Sequence, residues 1–239
     1  MPLYLNNKRN VLFIHIPKTG GTTIENWLYK TGDFKQLLFS EHILKDTRVT
    51  GQHFGFETLE NLIGDLNTKD LYKFAIVRNP YDRLISEFFY RVKIKDLTLG
   101  EKPEKYFSSW VDCTFKMYKN DNSILDNHLR PQSYFVSDDV VCFKLENGIE
   151  NAISQVAEEL QLEKAKSIES KKVGEKKEVV WSKSALDKVH ELYECDFKNF
   201  GYQKRVENED IQASSIKEIK YSFEYYLKGK KRLTKWLNL

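Results

Sequence analysis

Two short stretches of the chain are almost wholly apolar: VLFIHI at 11–16, interrupted by one histidine, and YKFAIV at 72–77. Both are rich in β-branched and aromatic residues and run into polar turns, the pattern of strands buried on both faces. VVCFKL at 140–145 is a third candidate. Elsewhere apolar positions recur every three or four residues, which predicts helices over 22–31, 57–66, 80–94, 105–119, 147–162 and 182–198. The alternation of strand, turn and helix predicts an α/β fold with a central parallel sheet flanked by helices, its ligands bound beyond the carboxyl ends of the strands. Segment 163–178, EKAKSIESKKVGEKKE, breaks the periodicity with lysine and glutamate and reads as an exposed, mobile excursion.

Composition narrows the class. The chain has 239 residues with 41% hydrophobic and 13% aromatic content, enough for one well-buried domain with a tail. Its 38 Lys and Arg nearly balance 35 Asp and Glu, so net charge alone does not call for a nucleic-acid partner. Cys113, Cys142 and Cys195 are odd in number and widely spaced, which argues against a disulfide framework and against a zinc site. With no apolar leader at the N-terminus and no long apolar span, the expected location is cytoplasmic.

The first strand leads into PKTGGTT, 17–23. Gly20 and Gly21 let backbone approach an anion, and the N–H groups entering the next helix point at it with the positive end of the helix dipole. Thr22 and Thr23 add hydroxyls, Lys18 a mobile positive charge, and Pro17 stiffens the strand exit. An ordinary glycine-containing strand-to-helix turn is the plainer alternative. A nucleotide kinase or ATPase of the Walker type requires lysine after the last glycine, whereas here it precedes both. The result is a P-loop-like three-layer α/β fold without the usual magnesium arrangement, and no metal is expected.

The second strand leads into RNPYDRLISEFFY, 78–90. Arg78 stands where the strand ends, Asn79 is a helix cap and Pro80 occupies the first helical position. Ser86, eight residues on, can join Arg78 at a second phosphate only if the chain turns back at Asn79. Arg83 and Glu87 read as an i,i+4 surface pair.

Taken together, PKTGGTT and RNPYDRLISEFFY resemble the two nucleotide motifs of sulfotransferases that use 3′-phosphoadenosine-5′-phosphosulfate (PAPS), in the branch acting on carbohydrates that includes the heparan sulfate 2-O-sulfotransferases. GQHFGF (51–56), HLRPQSYF (128–135), VCFKLEN (141–147) and LYECDFKNFGY (192–202) are similar to segments found in that order in the family. The resemblance implies that Pro17, Lys18, Thr19, Gly20, Gly21, Thr22 and Thr23 hold the 5′-phosphosulfate and that Arg78 and Ser86 hold the 3′-phosphate. It also implies His53 as catalytic base, with Lys18 stabilising charge at the transferring group. A structural histidine is the competing reading for His53. Two further function classes stay open: a P-loop kinase, and a non-catalytic module binding PAP or glycan.

His15, inside a strand, reads as a core or supporting residue; His128, Arg130 and Gln132 are candidate contacts to acceptor or nucleotide, in competition with a loop-building role. The resemblance spans 10–202, giving a sulfotransferase domain over 1–202 and a basic amphipathic helical extension over 203–239. From Ile216 that extension carries seven Lys or Arg against two Glu among Tyr, Phe, Trp and Leu. It is suited to peripheral contact with the inner membrane face, to a polyanionic or lipid-linked carbohydrate acceptor, or to packing on the protein itself.

Overall fold

A computed structural model of the chain describes residues 3–5, 9–31, 34–37, 48–63, 71–97, 99, 102–162 and 177–205. Residues 163–176 of the predicted 163–178 excursion and 206–239 of the predicted 203–239 extension lie outside these. The chain divides into two units, Met1–Asn79 with Ser123–Glu175, and Pro80–Asn122 with Lys176–Leu239.

The first unit is built on a five-stranded sheet of order β3-β1-β2-β4-β5. Its strands are β1 (Leu3–Leu5), β2 (Val11–Ile14), β3 (Lys35–Leu37), β4 (Tyr72–Val77) and β5 (Val141–Lys144). The three predicted strands form its parallel centre, with Ile14 opposite Ala75 and Phe74 opposite Val141. β1 and β3 add antiparallel pairs on one side. At three residues each they are too short to show a period, which is why the sequence pattern missed them.

Strand alternation sorts the side chains. Val11, Phe13, Tyr72, Phe74 and Ile76 join one core cluster with Ile24, Trp27 and Leu28 of α1 (Gly21–Lys30) and with Ala152, Ile153, Val156 and Ala157 of α5 (Ile149–Glu159). Phe13 and Phe74 meet across the strands with ring centroids 5.0 Å apart. On the other face Lys73 is buried beneath Phe56 of α2 (Phe56–Ile63), its ammonium 5.4 Å from the ring and 2.5 Å from Asp139. Helices thus flank the sheet on both sides, and β2, β4 and β5 open their carboxyl ends along one edge.

The second unit is helical: α3 (Pro80–Lys93), α4 (Phe107–Asn120), α6 (Lys183–Leu192) and α7 (Glu194–Asn199). Its core is aromatic, with Phe107 centroids 5.4 Å from Phe88 and 4.7 Å from Trp181. Ser182 caps α6 by accepting from the Ala185 N–H at 3.2 Å, as its position before the periodic stretch requires. The single helix expected over 182–198 breaks at Tyr193, whose buried ring holds the corner between α6 and α7. Arg83 and Glu87 also depart from expectation. Both are buried: Glu87 accepts from Arg91 at 2.5 Å, and the Arg83 guanidinium lies over the Tyr193 ring. The pair belongs to the core of this unit and not to its surface.

Candidate active site

Beyond Ile14 the chain turns through Pro17 and Lys18 before α1 begins at Gly21. Thr19 is fully buried and its hydroxyl donates to the Ile16 carbonyl at 2.9 Å, so that hydroxyl shapes the turn and does not face a ligand. Lys18 and Gly20 both take left-handed backbone, with φ of 70° and 91°. A non-glycine residue there costs on the order of 1 kcal/mol, and such strain gathers where backbone is held for a purpose. α1 has neither a side-chain cap nor an acidic residue in its first turn. The turn therefore sets no carboxylate of its own at the positive end of the dipole. Thr22 is exposed and Thr23 half-buried beside them. A Cβ on Gly21 would sit 2.7 Å from His15 Nε2, so this glycine is what allows the His15 ring beneath the turn.

At the end of β4, Gln132 pins Arg78. The Arg78 N–H donates to Gln132 Oε1 and Gln132 Nε2 donates to the Arg78 carbonyl, both at 2.8 Å. The guanidinium of Arg78 reaches the Lys18 carbonyl at 3.3 Å, which draws the two motif loops together. Asn79 donates its N–H to Glu146 at 2.6 Å, just beyond β5. Ser86 is half-buried in the second turn of α3, in the helical unit. Gln132 itself is completely buried, so the expectation that it contacts an acceptor gives way to a role in fixing the strand exit. Arg130 stacks over Tyr134 at 4.1 Å, and Tyr134 in turn lies where a Cβ on Gly55 would be, 2.4 Å from its Cζ. Gly55 is thus the residue that lets the GQHFGF loop close on Tyr134.

His53 ends the 3-10 turn Gly51–His53 and is buried. Its Nδ1 lies 2.7 Å from Asp126 Oδ2; Asp126 also accepts from the Thr50 hydroxyl at 2.8 Å and the Thr50 N–H at 2.7 Å. Asn127 Nδ2 donates to the His53 carbonyl at 2.9 Å. The His53 ring stands edge-on to His128, 4.7 Å between centroids, and to His15, 5.5 Å. His15 Nδ1 lies 2.6 Å from buried Glu25 and 2.9 Å from the Gln52 amide nitrogen, which itself donates to the same carboxylate at 3.3 Å.

Burial lowers the His53 pKa to about 4; the Asp126 hydrogen bond opposes that shift without overcoming it, and neighbouring His128 and His15 add to it. Burial alone would raise Asp126, yet the hydrogen bonds from His53 and Thr50 hold it down at about 2. At neutral pH the pair is therefore a neutral imidazole beside a carboxylate. Donor atoms of His53, Asp126 and His128 fall within 4.8 Å of one another, the spacing of a cation site. Asp126 already accepts three hydrogen bonds, which is the setting of a carboxylate holding a histidine.

A basic cradle at one strand exit, an arginine at the next and a buried neutral histidine in the same unit are parts that transfer of a charged group requires. The family model for the sulfotransferase family matches residues 2–203. The chain belongs to the sulfotransferase family. Neither the curated proteins nor the solved structures contain a match to it. Sulfuryl transfer is thus the chemistry this sulfotransferase performs, and its fold is the mixed, centrally parallel sheet flanked by helices described above. Among the described residues no helix is long and apolar enough to cross a membrane.

Sequence reasoning missed Asp126, Thr50, Glu25 and Gln52. Thr50 and Gln52 flank the glycine before His53, and Asp126 and Asn127 directly precede His128, so each lay beside a motif. Only Glu25 offered a separate signal, a charged residue next to the apolar stripe Ile24, Trp27 and Leu28.

Proposed function

We propose that the protein transfers a sulfuryl group from PAPS to a hydroxyl of a carbohydrate acceptor, as its resemblance to the heparan sulfate 2-O branch implies. The observation that carries this reading is the cradle: left-handed Lys18 and Gly20, an uncapped and acid-free start to α1, and Arg78 hydrogen-bonded to the Lys18 carbonyl. This donor set fits a phosphosulfate, because the backbone N–H groups at the start of α1, a lysine and an arginine belong to two adjoining loops joined by the Arg78–Lys18 hydrogen bond. When bound, PAPS supplies the activated sulfuryl group and a phosphate leaving group.

The protein's own part is positioning and charge. Lys18 and the first-turn N–H groups of α1 stabilise the spectator and leaving oxygens, and Arg78 holds the 3′-phosphate, a role that the resemblance also gives Ser86. His53, neutral above about pH 4, takes the proton of the acceptor hydroxyl. A carbohydrate acceptor on a lipid carrier or polysaccharide accords with the basic extension beyond 203. Deleting 216–239 should then abolish co-sedimentation with anionic vesicles.

The test is calorimetric titration with PAP beside ATP and magnesium. Micromolar PAP binding that disappears in Arg78→Ala supports the reading, whereas preference for ATP refutes it. Lys18→Ala should weaken PAP binding and lose turnover together; His53→Ala should lose turnover alone.

A further inference from the structure

A left-handed turn of three residues faces His53. Leu125, Asp126 and Asn127 have φ of 55°, 61° and 61°. Left-handed backbone costs a residue with a side chain roughly 1–2 kcal/mol and normally occurs singly, with Asn and Asp best able to adopt it. Three in succession persist only where surrounding contacts over-determine them. Here those contacts converge on one residue. Asp126 meets the His53 ring, Asn127 meets the His53 carbonyl, and Thr50 donates to both oxygens of Asp126, its hydroxyl also 3.3 Å from His53 Nδ1.

We propose that Asp126, held by Thr50 and by this left-handed turn, is the positioning residue that fixes His53 with its proton on Nδ1, leaving Nε2 as the acceptor atom. Asp126 Oδ2 accepts from the Thr50 hydroxyl and is a carboxylate oxygen, so the 2.7 Å contact to Nδ1 is satisfied only if Nδ1 carries the hydrogen. A neutral imidazole has one hydrogen, so Nε2 then holds a lone pair. The polar groups facing the ring agree. His128 and His15 stand edge-on to it, while Glu25 is occupied by His15 and Gln52. Among the described residues Asp126 is thus the one carboxylate seen at the His53 ring.

The inference rests on reading His53 as the base, and the proton involved is the one leaving the acceptor hydroxyl: it bonds to Nε2, making an imidazolium whose charge Asp126 faces, and is later released to solvent. The discriminating variant is Asp126→Asn. Asparagine tolerates left-handed backbone and keeps the bond from the Thr50 N–H, so the turn is preserved. Its amide nitrogen, however, presents hydrogen to Nδ1 and drives the His53 hydrogen onto Nε2, where it blocks proton transfer.

Two readouts separate this inference from the base assignment. Long-range ¹H–¹⁵N correlation of histidine-labelled full-length protein, with and without PAP, reads the His53 tautomer and needs no acceptor. We expect an Nδ1–H form in the wild type and an Nε2–H form in Asp126→Asn; an Nε2–H wild type, or an unchanged tautomer in the variant, overturns the inference. Turnover of PAPS with an oligosaccharide that the wild type sulfates should fall on the order of 100-fold or more in Asp126→Asn, with PAP affinity within about twofold. Asp126→Glu should recover part of it. If His53→Ala stays active, the base assignment fails; if His53→Ala is inactive while Asp126→Asn keeps full turnover, the positioning role alone fails.

Discussion

Replacing Gly21 by alanine tests the construction of the cradle directly. The added methyl would lie 2.7 Å from Nε2 and 2.8 Å from Cδ2 and Cε1 of His15, against an ordinary carbon contact of about 3.5 Å or more. The ring would have to withdraw by roughly 0.7 Å, and its surroundings oppose this. Nδ1 is bonded to Glu25 at 2.6 Å, Gln52 closes the same side, and the His53 ring stands 5.5 Å away. Overpacking of this kind costs about 1–3 kcal/mol. Alanine recovers up to about 1 kcal/mol through helix propensity, less at a helix start.

The net expectation is a loss of about 1–2 kcal/mol, a fall in Tm of roughly 3–6 °C for a chain of this size. PAP affinity should fall about tenfold, the worth of one displaced N–H bond. The decisive assay is a double-mutant cycle with His15→Ala, followed by urea unfolding. In that background the methyl has room, and the penalty of Gly21→Ala should shrink by about 1 kcal/mol or more. Additivity within about 0.5 kcal/mol would refute the argument that His15 is why this position is glycine.

Gln132→Leu removes both hydrogen bonds to the Arg78 backbone and should cost about 2 kcal/mol in urea unfolding, with PAP affinity reduced because Arg78 loses its anchor; unchanged stability would sink the pinning role. The His53 pKa, lowered from 6.5 to about 4, gives a pH dependence of folding: the unfolded chain takes up a proton near 6.5 that the folded one refuses until about 4. Stability is therefore fully present above about pH 6.5 and falls by about 3 kcal/mol on acidification to pH 4, and Asp126, held at about 2 against 3.8, adds a further loss below that. Unfolding curves from pH 7 to 4 should flatten in His53→Gln, and an identical slope in that variant would place the dependence elsewhere.

The parallel centre of the fold was legible because β2 and β4 are buried on both faces, and burial on both faces writes itself as a continuous apolar run. β1 and β3 left no such trace. Three residues carry too little period, and their identity as strands comes from pairing with each other and with β2. Arg83 and Glu87 failed for a related reason. Their i,i+4 spacing is the same on a solvated face and a buried one, and it is their burial, with the Tyr193 ring brought from elsewhere in the chain, that decides between them.

The site divides along the same line. Lys18, Gly20, Gly21 and Arg78 act through backbone geometry within a few residues of a strand end, so a local motif contains them. The clamp on His53 is non-local: Asp126 lies 73 residues from it in sequence and the contact exists only once the sheet has formed. Its strain is equally invisible in the sequence, yet it marks the same place. Of the six described non-glycine residues with positive φ, four are Lys18, Leu125, Asp126 and Asn127, so the backbone cost falls on the anion cradle and on the turn that grips His53. A chain selected for stability alone would place glycine at Leu125 and relieve about 1 kcal/mol. A leucine there keeps the turn stiff, and stiffness is what a residue positioning a proton acceptor has to supply.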